Sequence, residues 1–166
     1  MRHTFANCLY EEMLINENIY LLTGDLGYGV LDKILKDFPD RAFNVGAAEQ
    51  LLVGMAIGMA QEGKIPVCYS ITPFLLYRPF EFIRNYLSLE DIPVKLVGSG
   101  RGKEYGVDGF SHWCDEDLAV LRIFPSIDGW IPQNNQEIKQ CFKEWIAENE
   151  YASFLSLSRF SGENKG

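Results

Sequence analysis

Arg41-Ala42-Phe43-Asn44-Val45-Gly46-Ala47-Ala48-Glu49-Gln50 is the stretch that sets the architecture. A short apolar run, Ala42 to Val45, gives way to glycine and alanine. From Gln50 to Glu62 the residues Leu51, Leu52, Met55, Ala56 and Met59 then recur near helical spacing. This reads as a strand followed at once by a helix, with Glu49 at the junction. A carboxylate there lies beside the unpaired N–H groups of the first helical turn, where negative charge is favoured. An ordinary helix-start acid fits the local pattern equally well. Gly54 and Gly58 fall inside the helix, where a glycine costs about 1 kcal/mol relative to alanine. Two of them predict close packing, against a helix of the same core or the same helix of a partner subunit.

Outward from this unit the pattern repeats. Towards the N-terminus, Thr4 to Asn16 is amphipathic, and Ile19 to Thr23 is a continuous apolar run ending in the loop Gly24-Asp25-Leu26-Gly27-Tyr28-Gly29. Val30 to Asp37 forms a second short helix, stopped before Pro39. Towards the C-terminus come the strand Ile65–Ile71, an aromatic stretch Pro73–Phe82 with a helix to about Leu89, and the strand Val94–Gly98. A glycine-rich polar loop, Ser99–Asp115, precedes a helix at Asp117–Ile123. A strand at Ile127–Pro132, a helix at Asn135–Asn149 and a last strand at Ala152–Leu157 complete the series, with a polar tail from Ser161. Strands that are apolar throughout, alternating with helices, are the mark of a mainly parallel sheet covered on both faces. The expected fold is therefore α/β, a single three-layer α/β/α domain over residues 1–166. In such sheets ligands bind beyond the carboxyl ends of the strands. Glu49, Phe74, the Ser99–Asp115 loop and Arg159 all follow predicted strands and should share that edge.

Composition narrows the function. With 47% apolar residues, the 166-residue chain can bury a core. A net charge of -8 excludes the phosphate-backbone contacts of a nucleic-acid binder. No apolar run approaches the roughly 18 residues of a membrane span, and Met1-Arg2-His3-Thr4 lacks a secretory pattern. Cys8, Cys68, Cys114 and Cys141 are far apart, without zinc spacing, and read as reduced thiols of a cytoplasmic protein. No metal site is expected in the chain, since the histidines are His3 and His112 and no carboxylate–histidine cluster is visible. The GxGxxG, Walker and GxSxG patterns are absent.

The remaining chemistry rests on a few side chains. Glu49, a carboxylate in apolar surroundings, is a candidate proton donor or acceptor. Phe74 and Tyr77 can stack on a planar ligand or belong to the core. Asp108 and His112, four apart in the long loop, are candidate hydrogen-bonding groups. Arg101 and Arg159 carry the guanidinium fork that matches phosphate, and either could equally form a surface ion pair.

In order along the chain, these motifs resemble those of transketolase-like thiamine diphosphate enzymes, with transketolases and deoxyxylulose-phosphate synthases the nearest in flavour. Arg41–Gln50 resembles the segment bearing their thiamine-activating glutamate. Ser70-Ile71-Thr72-Pro73-Phe74 is similar to the aromatic segment beside the cofactor pyrimidine. Asp108-Gly109-Phe110-Ser111-His112 resembles the Asp-Gly-x-Thr-His loop, with Arg101 upstream. Leu157-Ser158-Arg159 resembles a strand end bearing a phosphate-binding arginine. The resemblance implies a pyrimidine-binding domain in which Glu49 bonds N1′ of the aminopyrimidine. That bond favours the imino tautomer, which takes the proton from C2 of the thiazolium. Phe74, with Tyr77, would stack on the pyrimidine, and Leu26 would press on the thiazolium. Asp108 and His112 would bond the sugar oxygens, with His112 counted with Glu49 as catalytic. Arg159 and Arg101 would receive a substrate phosphate.

The chain also departs from that family. The Gly-Asp-Gly motif that holds diphosphate and Mg²⁺ is absent, and Trp113-Cys114 stand where transketolases commonly have Gln-Pro, so Trp113 could reshape the substrate channel. The expectation is one subunit of a split transketolase-like enzyme, moving a two-carbon ketol unit between sugar phosphates. A separate chain would supply the diphosphate and Mg²⁺ site in an α2β2 heterotetramer. Alternatives are the beta-type subunit of a 2-oxo acid dehydrogenase, a deoxyxylulose-phosphate synthase-like enzyme, and a non-catalytic scaffold of the same fold.

Overall fold

The computed structural model describes residues 1–160; the polar tail expected from Ser161 lies outside them. Helix α1 (Arg2–Ile15) leads into β1 (Ile19–Thr23), followed by α2 (Asp32–Asp37), β2 (Ala42–Asn44), α3 (Glu49–Gln61) and β3 (Ile65–Ile71). Next come α4 (Thr72–Tyr77), a one-turn α5 (Phe80–Phe82) running into a π-helical stretch (Ile83–Ser88), and β4 (Lys95–Ser99). The chain closes with α6 (Asp117–Leu121), β5 (Asp128–Trp130), α7 (Asn135–Ala147) and β6 (Ser153–Leu157). The aromatic stretch is itself helical, and Pro79 separates α4 from α5 because it has no N–H to extend α4. The Ser99–Asp115 loop is more structured than its composition predicts. It holds 3₁₀ turns at Gly106–Asp108 and Phe110–His112 and closes on itself where Gly102 and Cys114 bridge.

The six strands form one all-parallel sheet in the order β2-β1-β3-β4-β6-β5. Its central strands are buried almost throughout, which explains why they read as unbroken apolar runs. Alternate residues feed two cores. Leu21, Val67, Tyr69, Val97 and Leu155 face one cluster, packed under α1 and α7 by Phe5, Leu9, Phe142 and Trp145. Leu22, Cys68, Leu96 and Phe154 face the other, under α3 to α6, with Leu52, Val53, Leu75 and Phe124. This is the expected three-layer α/β/α arrangement.

Gly98 shows how tight the second layer is. A Cβ there would lie 2.5 Å from the Phe154 ring and 2.7 Å from Thr72 Oγ1. The two glycines of α3 differ. A Cβ at Gly54 would meet Phe82 at 3.4 Å, so that glycine serves packing within the chain, whereas Gly58 faces open space.

Because all strands run the same way, their carboxyl ends share one edge. The order β2-β1-β3 places a topological switch point between β1 and β3, where the chain first moves outward and then crosses back.

Candidate active site

Glu49, the first residue of α3, leans over that switch point. It is 1% exposed, and each of its oxygens is held by a group from β3 or beyond. Ser70, near the end of β3, donates its hydroxyl to Oε1 at 3.0 Å. Arg78, the residue after α4, donates from Nη1 to Oε2 at 2.7 Å. Gly24, just past β1, makes the first reach possible: a Cβ at that position would lie 3.3 Å from Oε1. Beside the carboxylate opens a cavity of about 680 Å³ lined by Ala47, Ala48, Glu49, Gln50, Leu51 and Arg78.

From Arg78 a row of stacked groups crosses the edge of the sheet. The Arg78 guanidinium carbon lies 3.8 Å above the Phe74 ring centre. Phe74 meets the His112 ring edge-to-face at 4.8 Å. His112 packs against Tyr105 at 5.6 Å, and Arg159 covers Tyr105 at 4.2 Å. The Tyr105 hydroxyl pairs with Ser99 Oγ at 3.1 Å, and His112 Nδ1 pairs with Ser111 Oγ at 3.0 Å. Glu104 fixes the far end, accepting from Ser158 Oγ at 2.6 Å and from the Arg159 backbone N–H at 2.8 Å, while its carbonyl accepts from Arg159 Nη1. Three of the expected residues, Phe74, His112 and Arg159, thus join one contiguous row that begins at Glu49. An incoming planar cation or ring, a sugar-sized polyol and an anion would each find a suitable group along it.

Other expected residues stand outside this row. Arg101 turns inward: Nε donates to Ser156 Oγ at 2.9 Å, and Nη2 donates to the Pro132 and Ser156 carbonyls at 2.7 and 2.6 Å. Burial pulls its pKa down, with Glu104 opposing. Its fork therefore bolts the long loop to β6 instead of presenting itself to a phosphate. Tyr77 packs against the second core cluster rather than joining Phe74. Among the described residues its buried hydroxyl has no hydrogen-bond partner, and burial, aided by nearby Glu116, holds it protonated. Three and four residues on, Tyr77 and Arg78 both neighbour Phe74 along a helix; it is the Arg78 guanidinium that lies over the Phe74 ring, while Tyr77 turns to the core. Leu26 packs against the cluster under α1 and α7, whereas the helix of Glu49 lies on the opposite face. Asp108 is exposed at the end of a 3₁₀ turn. Trp113 donates its indole N–H to the Gly106 carbonyl at 3.2 Å and stacks under Lys103, closing the loop.

Arg78 and Tyr105 are the members of the row that sequence reading misses. The four-residue step from Phe74 was a usable signal for Arg78. Tyr105 had none, because its partners are set by the fold of the loop. Among the described residues no group of three or more His, Cys, Asp or Glu side chains could hold a metal ion. The chain does fit one end of a planar heteroaromatic cofactor, since it offers a buried carboxylate, an aromatic face and an adjoining cavity.

Comparison with known proteins bears on this edge. The family model described as "Transketolase, pyrimidine binding domain" matches residues 1–163. A putative transketolase C-terminal section from Methanocaldococcus jannaschii is 34% identical over 160 residues, 96% of this chain and 50% of that protein. An apulose-4-phosphate transketolase subunit from Actinobacillus succinogenes is 39% identical over 106 residues, 64% of this chain and 34% of that protein. Among solved structures, a split gene transketolase described as an inactive beta4 tetramer superposes with a TM-score of 0.82 at 30% identity, covering 99% of this chain and 55% of that one. The chain spans half or less of the length of these two curated relatives.

Proposed function

The chain belongs to the family of transketolase pyrimidine-binding domains, and on that footing we propose that it is one subunit of a split, thiamine diphosphate-dependent transketolase. The observation that carries this reading is the buried Glu49 carboxylate, joined to Phe74 through Arg78 and bordering an open cavity at the β1/β3 switch point. Bound thiamine diphosphate supplies the carbon nucleophile that accepts and passes on a two-carbon ketol unit. Glu49 bonds the aminopyrimidine and holds its proton balance, and Phe74 gives the ring a face to stack on. His112 and Asp108 bind sugar oxygens, and Arg159 receives the substrate phosphate.

A partner chain carries the diphosphate and Mg²⁺ site, in an α2β2 assembly. Two relatives, one named as a C-terminal section and one as a transketolase subunit, support this division. So do the large apolar side chains exposed around the same edge, Tyr28 at 74%, Leu51 at 53% and Phe110 at 87%, which a second chain would cover. The unpaired thiols are in keeping with a cytoplasmic setting.

The test is reconstitution with a partner chain bearing Gly-Asp-Gly, together with thiamine diphosphate and Mg²⁺. Ketol transfer from a keto-sugar phosphate should need both chains, and Glu49→Gln should sharply slow exchange of the cofactor C2 proton while leaving the fold intact. Full activity of this chain alone, or an assembled complex that binds no cofactor in calorimetry, would overturn the reading.

A further inference from the structure

Arg78 makes two contacts at once, and each is one that the proposed pyrimidine would need. Its Nη1 donates to Glu49 Oε2 at 2.7 Å, and its guanidinium plane covers Phe74 with the central carbon 3.8 Å from the ring centre. A guanidinium is flat, delocalised and edged with N–H donors. In this place it imitates an aminopyrimidine, which is also flat and presents a nitrogen edge to a carboxylate and a face to an aromatic ring. We propose that Arg78 is a built-in stand-in for the cofactor's aminopyrimidine, held by Glu49 and Phe74 until the ring docks and then displaced into solvent. This rests on the assignment of Glu49 as the pyrimidine-binding acid.

Burial makes such a device useful. Glu49 is enclosed, and a buried carboxylate without enough donors is costly. Ser70 serves Oε1 alone, so Oε2 needs a second donor in the pyrimidine-free chain. Arg78 can provide it and still leave cheaply. Its side chain is 45% exposed, it follows the last turn of α4, and it borders the cavity of about 680 Å³ beside Glu49. The pair is thus asymmetric: the acid is fixed inside, and the base is attached at the surface. Because the guanidinium must yield first, the apparent affinity for the pyrimidine is the intrinsic affinity multiplied by the fraction of molecules in which Arg78 has moved away.

The experiment uses the isolated chain and the cofactor fragment 4-amino-5-(hydroxymethyl)-2-methylpyrimidine, followed by ¹H–¹⁵N NMR. Arg78→Met should bind the fragment about two- to fivefold more tightly than the wild type, the scale of losing one half-exposed competing ion pair. Arg78→Lys, which keeps the charge but not the plane, should fall between them. In the wild type, the Arg78 Nε–H signal should move towards a solvent-exposed position as the fragment is added. If Arg78→Met and Arg78→Lys bind the fragment no more tightly than the wild type, Arg78 is a fixed part of the site and the proposal fails. The Glu49 assignment is read separately. If adding Glu49→Gln to Arg78→Met leaves the tightened binding unchanged, it is that assignment which is wrong.

Discussion

Ser70 Oγ donates to Glu49 Oε1 across 3.0 Å, joining the end of β3 to the first turn of α3 inside the protein. Both groups are buried, so neither can exchange its partner for water. Ser70→Ala removes the donor and leaves Oε1 under-satisfied, a loss of about 1–3 kcal/mol for a buried bond to a charged group. Urea denaturation should show the lower midpoint with an unchanged slope, since the exposed surface on unfolding stays the same.

Two glycines should respond in opposite ways. Gly98→Ala pushes a methyl into Phe154 and Thr72 at under 3 Å, overpacking that typically costs about 1–3 kcal/mol. Gly24→Ala meets Glu49 Oε1 at 3.3 Å, close enough to shift the carboxylate without breaking the core. Denaturation midpoints should fall for Gly98→Ala and hardly change for Gly24→Ala. Fragment titration should show weakened aminopyrimidine binding for Gly24→Ala.

Tyr77→Phe tests the placement of that ring. Among the described residues its buried hydroxyl has no hydrogen-bond partner, so removing the oxygen should leave stability unchanged or raise it by about 1 kcal/mol. Because the ring packs in the second core rather than with Phe74, aminopyrimidine binding should be unchanged. Weakened fragment binding by Tyr77→Phe would place the ring in the site after all.

Lys95, at the start of β4, is fully buried, its ammonium donating to the backbone and carboxylate of Glu148. Burial pulls its pKa below the ordinary value, with Glu148 opposing. The folded state therefore releases the proton at a lower pH than the unfolded chain. This group's contribution to stability rises with pH through the folded pKa and levels off near the ordinary lysine value of about 10.4. Lys95→Met should flatten the alkaline limb of stability against pH, measured by denaturation at several pH values. At neutral pH it should be neutral or stabilising by up to about 2 kcal/mol.

The parallel sheet was already written in the order of the residues. Ile19–Thr23, Val94–Gly98 and Ala152–Leu157 are apolar on both faces, which only a doubly covered strand requires, and each of the first two is followed by a segment of helical period. Parallel strands then oblige Glu49, Phe74, His112 and Arg159 to gather at one edge, so their neighbourhood was legible before any coordinates. Their partners were not. Glu49 meets Arg78 across 29 residues of chain, and Arg101 meets Ser156 across 55. Periodicity records which side of an element is buried, not which distant atom a charged group finds there. It took the packed layers to turn Arg101 inward, place Tyr77 in the core and set Arg78 over Phe74. Each outcome depends on which donors and acceptors the packing leaves unpaired, and that is decided only once the layers close.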